Sequence, residues 1–311
     1  SSWSTKLIHG GLRYLENYEF KLVRESLKER DIIHNIASNI TKEIPFIIPY
    51  NKTIRSKWLI KFGLFLYDHL GGKTSIKKSS SVNFKKEYSK ILKSNYTYGF
   101  KYYDLQVDDK KLVELNTEDA KKNNAIILEN VKVLKTTRLK DKWHIELSNQ
   151  DKIESKILIN ASGPWINKVN NEIIKIPPKK SIRLVKGSHI ITKKLYDPEV
   201  AFTLQNDDKR VVFVIPFKDK FSLIGTTENE VDSPDNNKID KDEIKYLFSS
   251  VNNYFHEEIN ESHIVDTYSG IRPLIEDFKE ASQISRDYIF DLNYQNNLAP
   301  LISVYGGKLT T

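Results

Sequence analysis

The 311-residue chain contains no cysteine and no methionine. The first absence excludes disulfides, thiolate catalysis and Cys-ligated metals. The second removes even an initiator residue, so the chain is expected to be a fragment of something longer. No apolar run reaches the roughly 18 residues that a membrane-spanning helix needs, and no signal peptide shows at the N-terminus, although a truncated chain could hide one. A soluble protein, or one that lies on a membrane without crossing it, is therefore expected. Long blocks of like charge are missing too. Lys and Arg outnumber Asp and Glu by 49 to 41, a formal net charge of +8, but the lysines are scattered, which argues against a nucleic-acid-binding arm. The density of Lys, Asn and Ile together also fits an AT-rich genome with no functional cause. Internal repeats and low-complexity linkers are absent.

What is present is an apolar content of 39% with 11% aromatics, enough for a substantial core. Residues 12–38 are expected to be helical, because Leu15, Phe20, Leu22, Val23 and Leu27 recur at helical spacing with Glu and Arg between them. The run "IPFIIPY" (44–50), pinned by Pro45 and Pro49, predicts an edge strand or extended loop. "SKWLIKFGLFLYDHLGG" (56–72) predicts a mostly apolar helix stopped by Gly71 and Gly72. Arg55, Lys57, Lys61 and Lys73 flank its apolar side, which suits either a membrane-surface helix or a buried core or dimer helix. "VDDKKLVELNTEDAKKNNA" (107–125) predicts a helix capped by aspartate, and capping accounts for Asp108 and Asp109 without a metal or acid–base role.

Three strands are expected in "IILENVKVLKTTR", "KWHIELS" and "SKILINAS". The last runs into Asn-Ala-Ser-Gly-Pro-Trp, as a parallel strand delivers backbone to a ligand in an open α/β sheet. "KGSHIIT", "RVVFVIPF" and "FSLIGTT" predict antiparallel strands. A charged helix (240–258) and the stretches "TYSGIRPL", "QISRDYIFDL" and "APLISVYGGKLTT" complete a mixed α/β pattern with two sheets, one partly parallel and one antiparallel.

Chemistry is suggested by four stretches in which a strand-like run meets small residues and then a cation: "LIHGGLRY" (7–14), "GIRPL" (270–274), "ISRDY" (284–288) and "YGGKLTT" (305–311). Glycine pairs let backbone N–H groups approach a ligand, and cations beside them suit an anionic group. A phosphorylated small substrate would need several such groups to converge. The opening "SSWSTKLIHGGLRYLE", crowded with hydroxyls, a glycine pair and an Arg-Tyr dipeptide, suits the floor of a site better than a fraying end. His34, His69, His144, His256 and His263 show no paired ligand spacing, so no metal site is expected.

In family order along essentially the whole chain stand "STKLIHGGLRYLENYEF", "GLFLYDHLG", "VDDKKLVELN", "INASGPW", "RLVKGSHII", "LQNDDKRVVFVIPF", "SLIGTTENE", "YSGIRPL", "ISRDY" and "SVYGGKLTT". On these motifs the chain resembles the FAD-dependent glycerol-3-phosphate dehydrogenases of the D-amino-acid-oxidase-like flavoprotein group. The resemblance implies a partial Rossmann-like FAD-binding domain from residues 1–40, 101–175 and 265–311. Interleaved with it would be a substrate-binding or cap domain, built on an antiparallel sheet, from 41–100 and 176–264. It also implies that the G-x-G-x-x-G unit preceding residue 1 and a C-terminal helical domain lie outside the chain, so that poor FAD binding and low activity are expected of the fragment itself.

For the cofactor, the resemblance implies that Ser4, Thr5, Lys6, Leu7, His9, Gly10 and Gly11 line the flavin and that the Val131 backbone, in the strand "ENVKVLK", meets the adenine. Ser162, where the family more often has Thr, Gly163 and Trp165 would flank the FAD, and Gly306, Gly307, Lys308, Leu309 and Thr310 would reach the flavin pyrimidine edge. Arg13, Tyr14, Arg272, Arg286 and Lys308 would hold the phosphate and the reacting hydroxyl of glycerol 3-phosphate. His189 is the preferred base, with a structural strand histidine as the alternative, and Arg272 and Lys308 would stabilise the oxygen. Electrons would pass to a membrane quinone, from a peripheral position on the inner face of the cell membrane with contact to anionic lipid and possible homodimerisation. The competing readings are an oxidase that hands electrons to oxygen, and a membrane-surface or interaction module without catalysis.

Overall fold

The computed structural model describes residues 3–276, 288–295 and 297–307. The chain begins with β1 (Leu7–Ile8), a 3₁₀ turn (Leu12–Asn17) and α1 (Phe20–Ile36). The single helix expected over 12–38 is broken because Tyr18 adopts a left-handed conformation (φ 60°), closing the 3₁₀ turn before α1 starts. Next come β2 (Thr41–Pro49), α2 (Lys57–Leu70), β3 (Ser80–Asn83), the one-turn α3 (Phe84–Glu87), β4 (Tyr98–Val107) and α4 (Asp109–Lys122). Ser56 caps α2 by accepting from the Leu59 N–H, and Asp108 caps α4 by accepting from Lys111 N–H at 3.0 Å.

A three-stranded meander follows, β5 (Val133–Arg138), β6 (Trp143–Leu147) and β7 (Lys152–Ser155), with antiparallel pairing throughout. After β8 (Leu158–Asn160) and α5 (Ile166–Lys168) the chain enters β9 (Ile182–Lys193), β10 (Ala201–Gln205), β11 (Val211–Phe217), β12 (Phe221–Gly225) and β13 (Asn229–Val231). Then come α6 (Lys241–Asn252), β14 (Ile264–Ile275), β15 (Tyr288–Asn293) and β16 (Leu301–Gly306). Asp240 and Glu243 form a reciprocal capping box at the start of α6.

The strands join into one large mixed sheet in the order β1-β4-β2-β10-β11-β12-β9-β13, with β14 also on β9 and β3 on β4. A small sheet, β15-β16-β8, pairs β16 with β8 in parallel, as the apolar run ending at Asn160 led one to expect. Antiparallel pairing of β9, β11 and β12 likewise matches their sequence pattern. The "IPFIIPY" segment differs from expectation. It lies within β2, an interior strand between β4 and β10. Its prolines are tolerated there because the parallel pairing with β10 is confined to Phe46 and Ile47, between Pro45 and Pro49. β4 spans the expected domain boundary at residues 100 and 101 and lies wholly in the large sheet.

Alternation along the strands divides the large sheet into two faces. Ile47, Ile190, Phe202, Leu204, Val212, Val214 and Ile224 form one, packed against Leu247 and Val251 of α6 and against Tyr254 and Phe255. Each such fully buried side chain contributes about 1.5–3 kcal/mol through the hydrophobic effect. On the other face Phe46, Phe100, Tyr102, Ile191, Ala201, Ile215 and Leu223 meet Val23 and Leu27 of α1 and Ile60 and Leu64 of α2. Part of that second face is left open.

Candidate active site

The open part is the floor of a cleft of about 1020 Å³. Strand register places Thr203, Phe213, Gly225, His189 and Tyr268 side by side in one row across β10, β11, β12, β9 and β14. Two residues along, Gly187 faces Gly270, and Arg272 lies two further on in β14. The glycines are required by contact. A Cβ on Gly225 would stand 2.2 Å from His189 Cδ2, and one on Gly187 would stand 2.7 Å from an Arg272 nitrogen. Neither neighbour could keep its place beside an alanine.

The segment Trp3–Gly11 covers this row. Thr5 Oγ1 lies 3.0 Å from His189 Nε2, and Tyr268 donates its hydroxyl to the Ser4 carbonyl at 2.7 Å. Ser4 Oγ and Lys6 Nζ both reach Asp109, at 2.7 and 3.1 Å. Asp108 is the cap expected from the sequence, but Asp109 turns inward and is buried, fixing the segment to α4. Further along, the Gly10 N–H donates to Tyr67 Oη at 2.7 Å, Tyr67 donates to both oxygens of Asp104, and Arg30 Nη1 donates to Asp104 at 2.9 Å. Burial raises the Asp104 carboxyl above its ordinary value, against the opposing pull of Arg30.

His189 is buried, and its ring stacks on Tyr268 at 4.7 Å. Burial foremost, then the positive charges of Arg272 and Lys6, lowers its pKa from 6.5 to about 3, so the imidazole is neutral in the folded protein at physiological pH. Nδ1 is buried with no hydrogen-bond partner among the described residues. Arg272 donates to the Thr227 carbonyl at 3.0 Å and to Glu228 at 3.2 Å, which fixes its guanidinium at the cleft wall.

Of the residues expected at the site, Ser4, Thr5, Leu7, His9, Gly11, Arg13, Tyr14, Trp165, His189 and Arg272 line this one cleft. Gly10 is buried just behind it, where a side chain would strike Leu27 and Tyr67, and Lys6 is turned to Asp109. Ser162 Oγ donates to Asn160 at 2.7 Å, and Gly163 (φ 58°) begins the turn that carries Trp165 into the cleft. Val131 precedes β5 rather than lying in a strand, and it packs against the cluster around Trp143, away from the cleft. Gly306 ends β16 and Gly307 follows it, both with positive φ, and neither lines the cleft. Arg286, Lys308, Leu309 and Thr310 lie outside the described residues. Sequence reasoning missed Asp104, Asp109, Thr227, Glu228 and Glu243. Each becomes visible only once distant strands are brought together.

A buried imidazole and a fixed guanidinium on one cleft, under a glycine-bearing N-terminal segment, suit a cofactor with a small anionic substrate, and the comparisons give the class as flavoprotein oxidoreductase. The chain belongs to the DAO family of FAD dependent oxidoreductases, whose model matches residues 1–308. It is 42% identical to the glycerol-3-phosphate dehydrogenase of Pseudomonas aeruginosa over all of this chain and 62% of that protein. It is 41% identical to the aerobic glycerol-3-phosphate dehydrogenase of Escherichia coli, over all of this chain and 63% of that protein. Identity is also 41% to the D-erythritol 1-phosphate dehydrogenase of Brucella abortus, with the same coverage of 100% and 63%. The chain thus spans less than two thirds of the length of these relatives. The solved glycerol-3-phosphate dehydrogenase of Bacillus halodurans, complexed with FAD, shares the fold at a TM-score of 0.71 and 22% identity, over 99% of this chain and 53% of that one. The FAD-bound L-alpha-glycerophosphate oxidase of Mycoplasma pneumoniae shares it at 0.71 and 14% identity, over 98% and 78%.

The residues present fit the flavin end of FAD. The cleft is large enough, its N-terminal wall offers glycine backbone at Gly11, and the buried His189 and the fixed Arg272 both line it.

Proposed function

We propose that this chain carries the flavin and substrate pocket of an enzyme that oxidises sn-glycerol 3-phosphate to dihydroxyacetone phosphate. The observation that supports it most strongly is His189, neutral, buried and with Nδ1 unpartnered, on the same cleft face as the Arg272 guanidinium. Bound FAD supplies the acceptor for the two electrons and the hydrogen that leave the alcohol carbon. Thr5, His9, Gly11 and Trp165 would hold it.

The chain's own residues handle charge and protons. His189 takes the substrate hydroxyl proton, its ring held by Thr5 Oγ1 at 3.0 Å from Nε2. Arg272 steadies the negative charge that develops on that oxygen, and Arg13 and Tyr14, on the same cleft, bind the phosphate.

Electrons pass onward to a membrane quinone, and the protein sits peripherally on the inner face of the cell membrane. This finer reading is supported by α2. No helix among the described residues is long and apolar enough to cross a membrane. Yet Trp58, Leu59, Phe62 and Phe65 are exposed on α2, with Lys57 and Lys61 beside them. A homodimer contact is the other use of that face, and flotation with anionic liposomes separates the two. The main test is anaerobic addition of glycerol 3-phosphate to the FAD-loaded protein. Bleaching of the flavin supports the proposal, and an unchanged spectrum ends it. Stoichiometric peroxide on admission of air would move the acceptor from quinone to oxygen.

A further inference from the structure

Behind the cleft floor, on the opposite side of β9, lies a buried carboxylate with no place in the mechanism above. Glu243, in the first turn of α6, is 2% exposed. Its Oε1 accepts from Ser188 Oγ at 2.8 Å and from Thr227 Oγ1 at 2.6 Å. Its Oε2 accepts from the Asp240 N–H at 3.0 Å and faces Lys186 Nζ at 2.9 Å. A buried charge so fully satisfied is costly to assemble and rigid once assembled.

The two hydroxyls it holds lead back to the two groups at the reacting centre. Thr227 belongs to the stretch Thr226–Glu228, which joins β12 to β13 and is outside both strands. From that stretch Arg272 takes two acceptors, the Thr227 carbonyl and the Glu228 carboxylate. Thr227 Oγ1 also accepts from the Ser188 N–H at 2.9 Å, so the irregular stretch is tied to β9 beside His189. Ser188 Oγ in turn meets Ser269 Oγ of β14 at 2.7 Å, joining the strand that carries Arg272.

We propose that Glu243 is the positioning residue of the site: by anchoring Thr227 and Ser188 it sets where the Arg272 guanidinium stands relative to His189. It touches neither substrate nor cofactor. The proposal rests on the function proposed above, in which Arg272 acts on the substrate oxygen.

The test is a double-mutant cycle in the FAD-loaded protein with glycerol 3-phosphate, using Glu243→Gln, Arg272→Lys and the pair. Glu243→Gln is expected to lower kcat/KM about tenfold with FAD content unchanged, and to change it less than about twofold once Arg272 is already Lys, as coupling within one network demands. Equal factors in both backgrounds would overturn the proposal, since a purely structural role adds independently. Thr227→Val, which keeps the shape and removes the hydroxyl, is expected to reproduce the coupling should Glu243→Gln fail to fold. A crystal structure of either variant gives a readout that does not depend on the substrate. Displacement of Arg272 from the Thr227 carbonyl is expected, and an Arg272 that keeps both contacts would overturn the inference even if glycerol 3-phosphate proves not to be the substrate. Absence of flavin bleaching in the unaltered protein would instead count against the functional reading alone.

Discussion

Along β9 to β12, Thr203, Gln205, Phe213 and His189 face the cleft, with Gly225 under the His189 ring, whereas their sequence neighbours Phe202, Leu204, Val212, Ile224 and Ile190 face α6. The same strands therefore present two surfaces of opposite character. The α6 face is closed and densely packed, apolar except for the buried network of Glu243 with Lys186, Ser188 and Thr227, and it fixes the register. The cleft face carries glycines, hydroxyls and a desolvated imidazole, none of which fills space well. Keeping such a surface in place requires that stability come from elsewhere, and period-two alternation supplies it one residue away. A one-residue slip would exchange the faces, so the register held by the whole α6 face decides which side His189 takes.

That division can be broken from either side. Phe202→Ala, deep in the closed face, is expected to cost about 3–5 kcal/mol of unfolding free energy while leaving flavin reduction per folded molecule close to normal. Chemical denaturation with a parallel assay checks both halves, and a large loss of turnover without a loss of stability would refute the division. Gly225→Ala is the converse case. Its Cβ must displace the His189 ring, so kcat/KM is expected to fall about a hundredfold, the scale of an ångström-size misplacement at a reacting centre. A variant that keeps full activity would show that the ring can move freely.

The third test concerns pH. Unfolded His189 takes up a proton near 6.5, but in the folded protein burial delays this to about 3. Between those values the unfolded chain binds more protons, so the stability tied to the neutral ring is present above 6.5 and is lost as pH falls. The slope from this one site approaches about 1.4 kcal/mol per pH unit. His189→Asn should flatten the acid limb of the stability curve by that amount, and an unchanged slope would mean the ring is charged or exposed. The same neutrality predicts no His189 limb in kcat/KM between about pH 5 and 8.

Much of this plan could be seen in the letters. β-branched runs announced β9, β11 and β12, the apolar run before Asn160 announced a parallel strand, and Asp108 and the glycines after Leu70 marked helix ends. The motif series carried the cleft residues from Ser4 to Arg272. Legibility failed where local pattern and tertiary placement diverge. Two prolines argued for an edge, yet β2 is interior because its parallel pairing fits between them. Asp109 looked like a cap because it adjoins Asp108, and only the return of the N-terminal segment across α4 turns it inward. Glu243 was indistinguishable from any acidic residue in a helix's first turn. Its partners Ser188 and Thr227 lie 55 and 16 residues away, and no local spacing encodes them.

The most direct measurement is the rate at which glycerol 3-phosphate reduces bound flavin in His189→Asn under anaerobic stopped flow. The account predicts FAD retained as in the unaltered protein and reduction slowed by about a thousandfold, within the range for loss of a positioned base. Reduction within twofold of the unaltered rate would contradict it, and the row across the sheet would then be scaffold only.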